Sequence, residues 1–195
     1  MPSPQQLVER LDTIQSSISA LSAQIDELHD ATLLQAGRPL ELQRAPTDLV
    51  ALARACVERQ QPVSDVHQVR LDAAVPDVVG SWDAARLERV LANLLSNAIK
   101  YSPAGGEVRV TVGRERNRAV LAVADHGLGI PSADLAYVFE RYRRASNVGG
   151  RIAGSGLGLA GARDIIQQHG GTISVQSTEG HGSTFVVRLP LEAPL

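Results

Sequence analysis

Leu87-Glu-Arg-Val-Leu91-Ala-Asn93-Leu-Leu-Ser-Asn97-Ala-Ile-Lys100-Tyr101 carries two periodic patterns at once. At about 100° per residue, Leu87, Leu91, Leu94 and Ala98 fall on one apolar stripe, while Asn93, Asn97 and Lys100 fall on a separate polar one. The spacing predicts a helix over residues 83–101 with its leucines in a core and its amides facing away from that core. Asparagines on a helix face are often merely solvated. Here Lys100 adds a compact charge one turn on, and Tyr101 adds an aromatic ring, so the polar face reads as a surface that meets a ligand.

Three further signatures follow in order. Asp125-His-Gly127-Leu-Gly129-Ile130-Pro131 closes the apolar run Ala119-Val-Leu-Ala-Val-Ala124. A carboxylate at a strand end can accept a hydrogen bond from an amino group, and glycines beside it leave room for a flat ring. Alone, such a stretch is more often a turn. Next comes Phe139-Glu-Arg141-Tyr142-Arg143-Arg144, and then Gly154-Ser-Gly156-Leu157-Gly158-Leu159, which opens a helical pattern. The free N–H groups and positive end of that helix can face phosphate oxygens. Gly156-Leu-Gly158-Leu-Ala-Gly161 also fits the dinucleotide pattern G-x-G-x-x-G, but that reading needs a strand directly before it, and 146–154 is a poor strand. Magnesium takes a few side-chain oxygens and leaves the rest of its shell to water and phosphate, a role that suits Asn97. The ordered set suits a magnesium nucleotide.

On these four signatures the chain resembles the catalytic, ATP-binding part of two-component sensor histidine kinases, within the GHKL superfamily, from about Leu7 to Pro190. The signatures are similar to that family's N, G1, F and G2 boxes. The resemblance implies ATP and Mg2+ as ligands, with Asn97 and, beside it, Asn93 at the metal, and Asn93, Asn97 and Lys100 as the catalytic group. It implies nucleotide contacts from Asn97, Lys100, Tyr101, Asp125, Gly127, Gly129, Ile130, Phe139, Arg144, Gly154, Gly156, Leu157, Gly158, Leu159 and Thr184. Asp125 would select adenine with Thr184 in support, and Phe139 would anchor a lid. Arg144 matches the phosphate-facing arginine best, with Arg141 and Arg143 as alternatives. Hydrolysing relatives commonly carry a glutamate at the position of Asn93; an amide cannot take a proton from water, which favours phosphoryl transfer over hydrolysis.

The implied fold is a two-layer α/β sandwich, a mixed five-stranded sheet covered on one face by three helices and preceded by a long helix. Strands are expected at 66–72, 78–81, 107–114, 119–124, 172–177 and 184–189, with a hairpin across 115–118. Thr47 or Asp48 can cap a helix to about Gln60, and a further helix runs over 157–169 to a Gly170-Gly171 stop. Residues 146–155 read as a mobile loop. Leu7, Leu11, Ile14, Ile18, Leu21, Ile25 and Leu28 alternate spacings of 4 and 3, an a/d seam that predicts a coiled coil. By resemblance, residues 1–37 are the second helix of a dimerisation hairpin, 38–46 its exit linker and 47–192 the catalytic domain. The implied partners are a second copy through that helix, a response regulator receiver domain, and an upstream sensor and acceptor-histidine helix.

Composition bounds the rest. In 195 residues no window approaches a membrane span, and the net charge of −2 lacks the basic bias of a nucleic-acid binder. The lone Cys56 cannot form an internal disulfide, which fits a cytoplasmic setting, and it lies in an apolar helical stretch that points to core packing. Twelve of the 17 glycines fall between Asp125 and Gly182, where backbone meets ligand or moves. None of the five histidines has the His-Glu/Asp-x-Arg/Lys-x-Pro setting of a kinase acceptor. His29-Asp30 comes nearest and reads as an ordinary helix residue; His126, His169 and His181 read as structural or solvated. Two other functions stay open: a non-catalytic, nucleotide-gated interaction module and a free-standing ATPase.

Overall fold

Strand alternation and three amphipathic helices build the domain from Glu41 onward. The computed structural model describes Ile25, Asp30, Thr32 and residues 40–61, 66–151 and 154–192. The chain divides into two compact units, Met1–Leu40 and Glu41–Leu195. In the first, Ile25, Asp30 and Thr32 are helical. The rest of the heptad seam, and His29, lie outside the described residues.

The second unit runs β1 (Ala45–Asp48), α1 (Leu49–Gln60), β2 (His67–Ala73), β3 (Val79–Trp82), α2 (Ala84–Lys100), β4 (Gly106–Glu115), β5 (Arg118–Ala124), a 3-10 turn (Ser146–Arg151), α3 (Gly158–Gln168), β6 (Thr172–Thr178) and β7 (Gly182–Pro190). Five strands form one sheet in the order β2-β4-β5-β7-β6, with β2 and β4 parallel and every other pair antiparallel. This is the mixed sheet expected, and the 115–118 hairpin joins β4 to β5 as expected. Because strand side chains alternate, Val108, Val110 and Val112 of β4, Ala119, Leu121 and Val123 of β5, and Phe185, Val187 and Leu189 of β7 share the buried face. The helices cover that face with Leu49, Val50, Ala53 and Cys56 of α1, Leu87, Val90, Leu91, Leu94, Leu95 and Ala98 of α2, and Ala160, Ala162, Ile165 and Ile166 of α3.

The helix ends explain where the functional segments begin. Asp48, not Thr47, caps α1: its carboxylate accepts from Val50 N at 3.0 Å and Val78 N at 3.1 Å. Thr47 turns inward, its hydroxyl donating to the Trp82 carbonyl at 3.2 Å. Asp83 caps α2, accepting from Arg86 N at 3.1 Å. At the far end of α3, Gly170 N bonds Gln167 O and Gly171 N bonds Ile166 O, both at 2.9 Å, the paired stop of a Schellman motif. His169 in that stop is fully buried. Its Nδ1 donates to Ile165 O at 2.8 Å and its Nε2 accepts from Asp83 N at 3.0 Å, so the α3 exit holds the α2 cap. Burial pushes its pKa down, which keeps the ring neutral and able to accept.

Two expectations change. Residues 45–46 read as the end of a linker and Thr47 or Asp48 as a helix cap, yet 45–48 form β1, paired antiparallel with β3. Pro46 is tolerated there because β1 is an edge strand that needs no N–H at that position. The segment 146–151 read as a loop but forms the 3-10 turn. Ser146 fastens it, its N–H and hydroxyl both donating to the Asp134 carboxylate at 2.7 Å.

Candidate functional site

The polar stripe of α2 meets the glycine-rich start of α3. Asn97 Nδ2 donates to Asn93 Oδ1 at 3.0 Å, a bond between residues one turn apart that consumes a donor and leaves the Asn97 carbonyl oxygen as the group it can offer a cation. Gly158 packs directly on the Asn93 amide; a Cβ at position 158 would overlap it. Lys100 Nζ lies 5.0 Å from the Tyr101 ring centroid and would be 2.6 Å from a Cβ at Gly154. One face of α2 thus presents two amides and an ammonium to residues 154–158. Ser155 Oγ accepts from Leu157 N at 3.3 Å, and the first helical bond of α3 joins Gly161 N to Leu157 O. The N–H groups of Gly158, Leu159 and Ala160 precede that first bond, as at any helix start. Leu157 is buried and Leu159 half-buried, so they hold this start in place. What precedes the glycines is the 3-10 turn, not a strand, which removes the dinucleotide reading.

The Asp125 loop closes one end of the same region. Leu128 N donates to the Tyr101 carbonyl at 2.9 Å, docking the loop on the α2 exit, and Gly127 lies so close to that carbonyl that a Cβ would overlap it. Asp125 is 9% exposed. Its Oδ1 accepts from Gly127 N at 2.9 Å and Ser183 N at 3.3 Å. Burial is the main influence on its pKa and raises it, with those two N–H bonds opposing. Gly129 has φ +62°, the left-handed region that glycine enters freely, and its α-carbon faces the Thr178 carbonyl. Ile130 N donates to Ser177 Oγ at 2.9 Å.

Thr184 is not brought to this place. It pairs with Ala124 across β5 and β7, and alternation turns both side chains to the face opposite Phe185. Ser183, buried at 7% exposure, stands beside Asp125 instead. Counting by twos back from Phe185, a core residue, would have found it.

In the Phe139 segment, the Phe139 ring meets Phe185 edge-on with centroids 6.3 Å apart, tying the segment to β7. Arg141 bonds Asp164 of α3 at 2.9 Å with both side chains largely buried. Arg143 is occupied by Glu140 at 3.3 Å and the Tyr137 ring at 5.4 Å. Arg144 is exposed beside them. Tyr142 N donates to the Gly156 carbonyl at 2.9 Å, and Asn147 Nδ2 to the Gly129 carbonyl at 3.1 Å, so Tyr142 and Asn147 are each tied to a glycine-rich loop. Sequence reasoning missed Ser177, Ser183, Asp134 and Asp164, whose respective partners Ile130, Asp125, Ser146 and Arg141 belong to other segments of the chain. Among the described residues no group of three or more His, Cys, Asp or Glu side chains is placed to hold a metal ion. Among them, too, no helix is long and apolar enough to cross a membrane.

An amide-bearing helix, a carboxylate at a strand end and a glycine-rich helix start around one region define the class, and comparison with known proteins gives the family. The chain belongs to the histidine kinase-, DNA gyrase B-, and HSP90-like ATPase family, which matches residues 82–193. It is 37% identical over 190 residues to the probable sensor histidine kinase TcrY of Mycobacterium tuberculosis, covering 97% of this chain and 39% of that protein. Among solved structures it is similar to the mycobacterial sensor histidine kinase MprB, at 29% identity and TM-score 0.68 over 77% of this chain and all of that one. It is also similar to full-length ShkA in complex with AMPPNP, at 28% identity and TM-score 0.77, covering 100% of this chain and 40% of that one. Residues 82–193 are thus an ATPase domain of the sensor histidine kinase type, and the chain spans about two fifths of such a relative's length.

Proposed function

We propose that this chain is the ATP-binding catalytic part of a sensor histidine kinase that passes the γ-phosphoryl group of ATP to a histidine on a dimerisation helix outside these 195 residues. The observation that carries the reading is the packing of Gly158 on Asn93, which sets the start of α3 against the polar stripe of α2. In this reading Asp125 takes the adenine amino group through its second carboxylate oxygen, since the first is occupied by two N–H donors. Tyr101 borders the base or ribose. The N–H groups at 158–160 and Lys100 hold phosphate oxygens. Arg144, the arginine that matches the family's pattern best, is the phosphate-facing one.

The donor set fits magnesium: amide oxygens on Asn97 and Asn93 are hard ligands, few in number, as the ion requires when phosphates and water complete its shell. Bound there, the ion would neutralise phosphate charge. The chain's own contribution is positioning and charge complementarity. Asn93 cannot activate water as a carboxylate does, which favours transfer over hydrolysis. The heptad seam assigns dimerisation to the N-terminal helix, the receiver domain of a response regulator is the onward acceptor, and the domain works in the cytoplasm.

Mixing the chain with Mg2+, labelled ATP and a separate histidine-bearing hairpin tests the function. Phosphohistidine on the hairpin is the expected product. Bound ATP without transfer would support a nucleotide-gated interaction module, and steady release of phosphate by the chain alone would support a free-standing ATPase.

A further inference from the structure

Ser177 makes three hydrogen bonds that together fix the direction of a fourth group. Its hydroxyl lies 2.7 Å from the Gly182 carbonyl, which can only accept, so Ser177 donates its single proton there. Ile130 N donates to the same oxygen at 2.9 Å, filling one lone pair. Ser183 Oγ lies 3.0 Å away. With the Ser177 proton already committed, Ser183 must be the donor in this contact. The Ser183 proton therefore points at Ser177, and what Ser183 turns elsewhere is lone pairs only. Ser183 is also the residue whose N–H holds Asp125 Oδ1. Asp125 Oδ2 and Ser183 Oγ then form a pair of acceptors, neither of which can donate while Asp125 is ionised.

We infer that Ser177 is a positioning residue for base selection: by fixing the Ser183 hydroxyl as an acceptor it makes the end of the site accept a purine 6-amino group and reject a 6-oxo group. The inference rests on the adenine reading of Asp125 given above. A 6-amino group brings two N–H donors to the two acceptors. A 6-oxo group brings lone pairs to them, and an acceptor facing an acceptor leaves both buried groups unsatisfied. Ser177 touches no base; it acts through Ser183.

The test is calorimetric titration of the full chain with MgATP and with MgITP, which exchanges the 6-amino group for a 6-oxo group. Wild type should prefer ATP. Ser177→Ala releases the Ser183 hydroxyl to rotate and donate, so the ATP:ITP affinity ratio should narrow by about tenfold, the value of one hydrogen bond changed in sense. Ser177→Thr keeps the hydroxyl and should restore the ratio. Ser183→Ala leaves Ser177 bonded to Gly182 and Ile130 and should narrow the ratio as well, which keeps the test decisive if Ser177→Ala fails to fold. A purely structural Ser177 would weaken both nucleotides equally; an unchanged ratio in folded Ser177→Ala or Ser183→Ala overturns the inference and leaves the adenine site standing. Wild type that binds neither nucleotide overturns the adenine reading itself.

Discussion

Gly158→Ala should separate stability from nucleotide binding. Gly158 is the first residue of α3, where alanine is favoured over glycine by up to about 1 kcal/mol. Against that gain, the new methyl overlaps the Asn93 amide, so Asn93 must leave its rotamer, at a cost of about 0.5–1.5 kcal/mol, and give up its bond to Asn97, worth about 1 kcal/mol. The obstacle is a side chain and not backbone, so the fold can yield. The net loss of stability is then about 0.5–2.5 kcal/mol, a Tm drop of roughly 1–10 °C in a chain this size. Binding has no such compensation. Displacing Asn93 unsettles Asn97 and widens the gap between α2 and the N–H groups of α3, and loss of one contact to a charged phosphate or cation shell costs about 1.5–3 kcal/mol. MgATP affinity should fall by about ten- to a hundredfold, read by calorimetry beside a thermal melt. A folded Gly158→Ala protein that binds MgATP within about twofold of wild type would refute the claim that this packing builds the phosphate end.

Asp125→Asn should weaken ATP by about tenfold or more in calorimetry: the variant's carbonyl must stay on Gly127 N and Ser183 N, which turns its NH2 toward the adenine amino group, donor against donor. Because burial raises the Asp125 pKa, the acceptor is lost by protonation above the ordinary aspartate value of about 3.9, so ATP affinity measured down a pH series should fall before an exposed aspartate would titrate. The same shift has an opposite sign for folding, since ionised Asp125 costs stability that is regained as pH falls through its folded value. His169 acts the other way. Its pKa is lowered by burial, so its contribution is fully present above the unfolded value of about 6.5 and is lost as pH falls below it. Melting temperature should therefore drop from pH 7 toward 5, and His169→Phe should flatten that slope while lowering stability by about 1–3 kcal/mol through the unsatisfied Asp83 N–H.

Much of the fold was legible because it is written locally. The α2 stripe from Leu87 to Ala98 and the alternation in β4, β5 and β7 each repeat over one element, and Asp83 and Gly170-Gly171 mark ends through bonds to near neighbours. The site's parts were legible for the same reason: Asn97, Asp125 and Gly158 sit at element boundaries with characteristic residues. What stayed hidden depends on distance in sequence. Asp83 meets His169 across 86 positions, Ser183 meets Asp125 across 58, and Ile130 meets Ser177 across 47. Periodicity does not report such pairings. Thr184 stands one residue from Ser183, and in a strand one residue changes the face. The β1 strand was hidden by Pro46, which argues against a strand unless the strand lies at an edge.

The central claim is that α2, the start of α3 and the Asp125 loop enclose one magnesium–ATP site. Calorimetric titration of ATP into the chain, with excess Mg2+ and again with Asn97→Ala, tests it most directly. Saturable binding of one ATP per chain that weakens by about tenfold or more in the variant is the predicted result. No binding to wild type, or equal binding to both, would contradict it.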